Sequence, residues 1–228
     1  MYLHLTPYTS HLKKMSLKSA LTHNFVEAGL DEVGRGCLAG PVVAAAVILP
    51  KNYKNDLLND SKQLSKEDRN ALEISIKNDA LAWAIAEVSH TEIDRINILR
   101  ASFLAMHKAL DAIFEQFDNK IIDVVPEILL VDGNRFTPYN FLPYNCIVKG
   151  DAKFASIAAA SVLAKTYRDA LMEDLALQYP LYGWEQNMGY PTIEHRKAVL
   201  LHGFSPLHRI TFKVQVGEED VLGTRYEV

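Results

Sequence analysis

The sequence is short of the features that mark secreted, membrane or fibrous chains. It has two cysteines, Cys37 and Cys146, too few for a disulfide framework and without zinc-ligand spacing. They read as small residues in or near the core, in a reducing compartment. No apolar run approaches the roughly 20 residues a membrane helix needs; the longest stretches are 41–49 and 155–164. There is no basic excess either. Against 24 Lys and Arg stand 28 Asp and Glu, a formal net charge of −4. A uniformly basic, histone-like polyanion binder is excluded, whereas a local basic patch is not. Repeats, low-complexity tracts and internal linkers are missing. The opening MYLHLTPYTSHLKKMSLKS has no basic start followed by an apolar run, so it is no secretory signal. The expectation is a cytoplasmic protein outside the membrane.

What is present is enough for one sizeable core. The chain has 228 residues, of which 49% are hydrophobic and 23% charged, both near globular averages. Residues 25–31 read as a strand, and the β-branched, apolar run 41–49 as a buried one. Ser65-Lys66-Glu67-Asp68 resembles a capping box opening a helix to about residue 77. Residues 81–88 alternate as a strand. Ser89-His90-Thr91-Glu92 is a second capping box, and it predicts one long helix with Ile93, Ile96, Leu99, Phe103, Met106, Leu110 and Phe114 on its inner face. Residues 127–131 and 146–148 read as strands, 153–177 as an alanine-rich helix, and 192–202 as a short helix. Strands alternating with helices predict an α/β domain with a mixed sheet. The division expected is a flexible extension over 1–22, the main α/β domain over 23–180 and a helical C-terminal segment over 181–228. Met15 stands just before the first structured stretch, so residues 1–14 read as a tail or as an upstream misreading of the start.

The acids carry the chemistry. Asp31, Glu32, Asp132 and Asp151 fall where apolar strands stop or a helix begins, and an apolar setting penalises a carboxylate unless something compensates it. Strand ends in an α/β sheet converge on one crevice. Carboxylates meeting there repel one another unless a cation bridges them, and oxygen ligands without Cys or His favour Mg²⁺ or Mn²⁺. Without these four acids the chain is 24 basic against 24 acidic, a deficit that two divalent ions would fill. Taken singly, each has an ordinary reading: a turn for Asp132-Gly133-Asn134, a helix start for Asp151, a solvated strand end for Asp31-Glu32. Successive strand residues also point to opposite faces. Asp31 and Glu32 can therefore share a metal centre only if the backbone kinks, or if Glu32 contributes its carbonyl.

Gly34-Arg35-Gly36 follows directly. The pattern G-x-G-x-x-A fits a dinucleotide loop, but Gly40-Pro41 and a β-branched run stand where that motif needs a helix. A bare backbone that lets a polyanion approach, with Arg35 on phosphate, fits better. Lys62, Lys149, Lys153, Lys165 and Arg168 are further cations for such a partner, each with a solvated surface charge as its commoner explanation. Tyr190, in Met188-Gly189-Tyr190-Pro191, is a packed loop aromatic or a stacking surface for a sugar or base. His195 and His202 flank a short helix and show no metal spacing.

The stretch Ala28-Gly29-Leu30-Asp31-Glu32-Val33-Gly34-Arg35-Gly36-Cys37-Leu38-Ala39-Gly40-Pro41-Val42 resembles the opening motif of ribonuclease HII. Asp60-Ser61-Lys62-Gln63-Leu64-Ser65, Asp132-Gly133-Asn134 and Lys149-Gly150-Asp151 are similar to its second, third and fourth motifs. Gly189-Tyr190-Pro191-Thr192, His195 and His208-Arg209 resemble its C-terminal region. The likeness is collinear from about residue 27 to 212. It implies a ribonuclease H-like mixed five-stranded sheet flanked by helices. It also implies an endonuclease for the RNA strand of RNA–DNA hybrids, including single ribonucleotides in duplex DNA, leaving 5′-phosphate and 3′-hydroxyl ends. Carried over, Asp31, Glu32, Asp132 and Asp151 hold two divalent ions, Mg²⁺ or Mn²⁺. Gly34, Arg35 and Gly36 meet the backbone around the 2′-hydroxyl, and Tyr190 stacks on the sugar at the RNA-to-DNA junction. A monomer is expected. Met188 departs from the lysine many relatives carry there. A silent hybrid binder of the same fold, a dinucleotide enzyme and a DNA exonuclease are the competing readings.

Overall fold

The apolar run at 41–49 becomes β2 (Val42–Ile48), a strand buried along its whole length. Such a strand needs cover on both faces, and the chain supplies it. In a computed structural model, which describes residues 17–22, 24–58 and 64–214, β2 pairs antiparallel with β1 (Glu27–Val33) on one side and β3 (Ala82–Val88) on the other. β1 pairs parallel with β4 (Ile128–Asp132), and β4 parallel with β5 (Tyr144–Ile147). The sheet is mixed and five-stranded, in the order β3-β2-β1-β4-β5.

The helices form where the caps lie. Ser65 caps α1 (Lys66–Asp79), accepting from Asp68 N at 3.0 Å. Ser89 caps α2 (His90–Ile96) through Glu92 N at 3.3 Å. The long helix expected after it is broken. Asn97 sits at φ 70°, ends α2, and accepts from Arg100 N at 3.2 Å to start α3 (Ile98–Asp118). Asparagine tolerates the left-handed region better than most residues, and the apolar spacing runs through the break without recording it.

α3 covers one face of the sheet, where Leu30, Ala44, Ala46, Met106 and Leu110 are buried together. α4 (Ala155–Gln178) and α1 cover the other, over Val43, Ala45 and Val47. α4 lies so close to β1 that a Cβ on Gly29 would stand 2.2 Å from the Ser156 carbonyl carbon. The C-terminal segment, with α5 (Trp184–Asn187) and α6 (Ile193–His202), shares a cluster with Ala39, Met172 and Ala176.

The described part of the N-terminal extension corrects the expected boundary. Lys18 N donates to Lys153 O at 2.8 Å, Ala155 N donates to Lys18 O at 2.9 Å, and Thr22 N donates to the Glu27 carboxylate at 2.6 Å. Residues 17–22 are therefore docked on the domain, because the start of α4 has free main-chain groups to pair. The suspected tail over 1–14 lies outside the described residues. Among those described, no helix is long and apolar enough to cross a membrane.

Candidate active site

The parallel register brings the acids together. Leu30 pairs with Val131, so Asp31 and Asp132, the next residue on each strand, end side by side. Both point to the α4 face. Asp31 is bonded to Ser161 of α4. Asp132 Oδ1 accepts from Gly150 N at 2.7 Å, which ties it to the turn Gly150–Ala152 that carries buried Asp151.

No kink forms at Asp31-Glu32. β1 stays paired with β2 through Val33, so Glu32 leaves on the opposite face, as strand alternation requires. It lines an open cleft of about 290 Å³ with Asp132, Arg35, Leu99 and Phe103. Asp132, at the strand terminus, borders both Glu32 in this cleft and Asp31 on the other face, and is the pivot of the group. Asn134 and Arg135 line the same cleft. Arg135 was not singled out from the sequence, although its place three residues beyond the strand-end acid was a signal for it.

Burial, and then the neighbouring Glu32 and Asp132 carboxylates, push the Asp31 carboxyl well above its ordinary range, against bonds from Ser161 and the Glu32 main chain. Crowding of this kind is relieved by a bound cation. Among the described residues no three acid, His or Cys side chains already converge as a finished metal cage. The fit to a divalent ion rests instead on the hard oxygen donors and on the repulsion they carry.

The glycine loop is fixed from behind. Gly34 adopts φ +91°, and a Cβ there would sit 2.3 Å from Arg168 Nε. Arg168 is fully buried and donates to Pro41 O, Ala39 O and Met188 O at 3.0, 3.1 and 2.8 Å. It was expected to meet a polyanion; its guanidinium is instead sealed under the loop. Arg209, also fully buried, donates twice to Gly40 O and once to Arg35 O. Burial holds its pKa down at about 10. Gly36, by contrast, faces open space. Arg35 pairs with Glu32 at 3.0 Å and keeps a half-exposed side chain. Lys165 is bonded to buried Asp169, whose other partner is Arg69 at 3.1 Å. It is part of an internal ion cluster rather than a free contact. Lys62 lies outside the described residues.

Tyr190 stands beside this loop, its ring 5.9 Å from the Arg168 guanidinium carbon, and the residue is 36% exposed. Leu38 N donates to Gly189 O at 2.7 Å, and Cys37 Sγ to Met188 O at 3.7 Å. Main-chain carbonyls of Gly189 and Met188 make these contacts, while the Met188 side chain packs against the cluster of Met172 and Trp184.

A mixed five-stranded sheet with carboxylates at the ends of its two central strands defines a nuclease of the ribonuclease H-like class. The ribonuclease HII family model matches residues 28–215. The chain is 56% identical over 194 residues to ribonuclease HII of Bacteroides thetaiotaomicron, covering 85% of this chain and 92% of the relative. It is 58% identical over 187 residues to that of Parabacteroides distasonis, covering 82% and 89%. Among solved structures, ribonuclease H2 from Pyrococcus horikoshii OT3 is similar with a TM-score of 0.65 at 25% identity, over 82% of this chain and 94% of that one. The enzyme in the PCNA:RNase HII complex from Archaeoglobus fulgidus matches with a TM-score of 0.64 at 25% identity, over 86% and 99%. The chain belongs to the ribonuclease HII family and is a ribonuclease.

Proposed function

We propose that this ribonuclease cuts the RNA strand of RNA–DNA hybrids internally, and cuts single ribonucleotides embedded in duplex DNA, leaving 5′-phosphate and 3′-hydroxyl ends. The observation that supports this most is the pairing of two unlike surfaces. Crowded carboxylates at the ends of β1 and β4 adjoin a rigid glycine loop whose outer face is open.

Asp31, Asp132 and Asp151 would hold two divalent ions, Mg²⁺ or Mn²⁺, with Glu32 contributing through its main-chain carbonyl because its side chain leaves on the other face. When bound, such ions lower the pKa of a water and stabilise the leaving oxygen. The rest falls to the chain itself. RNA differs from DNA at one group, the 2′-hydroxyl, which both donates and accepts. Main-chain N–H and C=O groups of Gly34, Arg35 and Gly36 can meet both needs, and Arg168 and Arg209 hold them still. Arg35 and Arg135 offer charge to the phosphates on the cleft side. Tyr190 offers a ring for the sugar at the junction. All these groups come from one chain, so a monomer suffices. The free thiols of Cys37 and Cys146 suit the cytoplasm.

The test uses two labelled duplexes, one all DNA and one with a single internal ribonucleotide, incubated with Mg²⁺ or Mn²⁺ and then with a chelator. Metal-dependent cutting on the 5′ side of the ribonucleotide alone is expected. Binding without cutting would favour a silent hybrid binder, and cutting of the all-DNA duplex from its ends would favour an exonuclease.

A further inference from the structure

Around the Tyr190 main chain lies a buried polar cluster that the proposed reaction does not use. His195 and His208 are 0% and 2% exposed, and their Nε2 atoms lie 3.1 Å apart. Trp184 Nε1 is 3.0 Å from His195 Nε2. His195 Nδ1 is 2.9 Å from Tyr190 O. Ser205 N is 2.9 Å from His208 Nδ1, with the Ser205 hydroxyl at 2.8 Å.

These contacts admit one arrangement of protons when both rings are neutral. A main-chain N–H only donates, so His208 Nδ1 accepts from Ser205, and the His208 proton is on Nε2. An indole N–H also only donates, so His195 Nε2 accepts from Trp184. The same nitrogen accepts from His208 Nε2–H. The His195 proton is then on Nδ1 and is donated to Tyr190 O. A further proton on His195 Nε2 would set N–H against both the Trp184 and the His208 donors, whereas the Nδ1–H bond to Tyr190 O keeps its donor.

The two histidines belong to the two segments that grip the glycine loop. His208 forms a bridge with Ala39, flanked by Gly40 N to Leu207 O at 3.0 Å and Arg209 N to Leu38 O at 2.8 Å. His195 holds the main chain of Tyr190, next to the Gly189 carbonyl that receives Leu38 N. The His195–His208 bond therefore joins the tyrosine loop to the segment that carries Arg209.

We propose that His195 and His208 are positioning residues for substrate recognition: their ordered hydrogen bonds set the Tyr190 ring against the glycine loop, and a proton on His195 Nε2 breaks the bonds to His208 and Trp184 that tie the tyrosine loop to the segment carrying Arg209. The inference rests on the proposed reading of Tyr190 as a contact to the sugar. The ionisable groups facing the pair are His90 of α2, Tyr182 from the turn before α5, Tyr190, and Arg209 next in the chain. Positive charge at His90 or Arg209 opposes a second positive charge here. No carboxylate is among these groups.

The test compares His195→Gln with His195→Asn in full-length enzyme. By shape, Gln keeps an acceptor where Nε2 was and loses the donor to Tyr190 O; Asn keeps a donor near Nδ1. On the single-ribonucleotide duplex at pH 8, His195→Gln should raise KM about threefold, equivalent to about 0.65 kcal/mol and no more than loss of the Tyr190 ring itself, with kcat unchanged. His195→Asn should recover most of that loss. In wild-type enzyme, KM should rise on acidification before kcat falls, together with a change in Trp184 fluorescence followed in a Trp83→Phe background. Nitrogen-15 histidine spectra of the wild type should show protonated Nδ1 on His195 and protonated Nε2 on His208, a readout that needs no variant to fold. Other tautomers, equal losses for Gln and Asn, or a fall in kcat at constant KM would overturn the proposal alone. A wild-type chain that neither binds nor cuts the duplex would overturn the reading of Tyr190 and, with it, this inference.

Discussion

The two flanks of the glycine loop solve opposite electrostatic problems. On the acid flank, Asp31, Glu32 and Asp132 press negative charge together, and burial and repulsion hold the Asp31 carboxyl well above its ordinary range. On the other flank, two fully buried guanidiniums, Arg168 and Arg209, donate to main-chain carbonyls of the loop and its surroundings. Neutral imidazoles stand behind them. The acid flank is unfinished without a cation, which suits a site that recruits one. The arginine flank is complete in itself and makes backbone rigid, which suits a surface that must read a single hydroxyl. The comparison suggests a division of labour, with chemistry on one side and recognition on the other.

The sharpest way to break the comparison is to neutralise the pivot of the acid flank. Asp132→Asn should lower single-turnover cleavage at least about 100-fold, while fluorescence anisotropy shows duplex binding unchanged. Next is Arg168→Ala on the arginine flank. It strips the buried Pro41 and Ala39 carbonyls of a donor, removes one from Met188 O, and should cost about 3–5 kcal/mol in urea unfolding. Lys at 168 should rescue little, because one ammonium cannot span the fork.

A pH series sharpens the same contrast. Burial, then the neighbouring His195, lowers the His208 pKa from 6.5 to about 4. The unfolded chain therefore binds more protons than the folded one between those values. The contribution to stability is full above pH 6.5 and is lost as pH falls toward 4, by roughly 3 kcal/mol. Urea midpoints measured across that window check the sign. Gly36→Ala, where a Cβ meets nothing, should leave stability within about 0.5 kcal/mol yet weaken duplex binding severalfold. The smallest effect expected is from Tyr190→Ala, a few-fold loss on single-ribonucleotide duplexes and less on long hybrids. Equal losses on both substrates would remove the junction role.

The acid flank was legible in the sequence and the arginine flank was not. Apolar runs that end in Asp announce strand ends, and parallel pairing of β1 with β4 then places Asp31 beside Asp132. Alternation left open whether a kink would bring Asp31 and Glu32 to one face; β1 stays regular, and they part. Nothing in Arg168 or Lys165 distinguishes a cation on the surface from one turned inward. Only the fold shows that a helix one face of which is alanine can bring Arg168 beneath Gly34. The His195–His208 contact joins residues 13 apart across a loop, beyond any helical or strand period. The break at Asn97 was hidden because its neighbours keep the apolar spacing of one helix.

The division of labour is tested most directly by binding without cutting. Asp132→Asn enzyme, in Mg²⁺, is titrated with an all-DNA duplex and with the same duplex carrying one ribonucleotide. The account predicts that the variant still prefers the ribonucleotide duplex by the factor seen for wild-type enzyme under non-cleaving conditions, because the loop and Tyr190 do the reading. Loss of that preference in a folded variant would contradict it and return recognition to the acids.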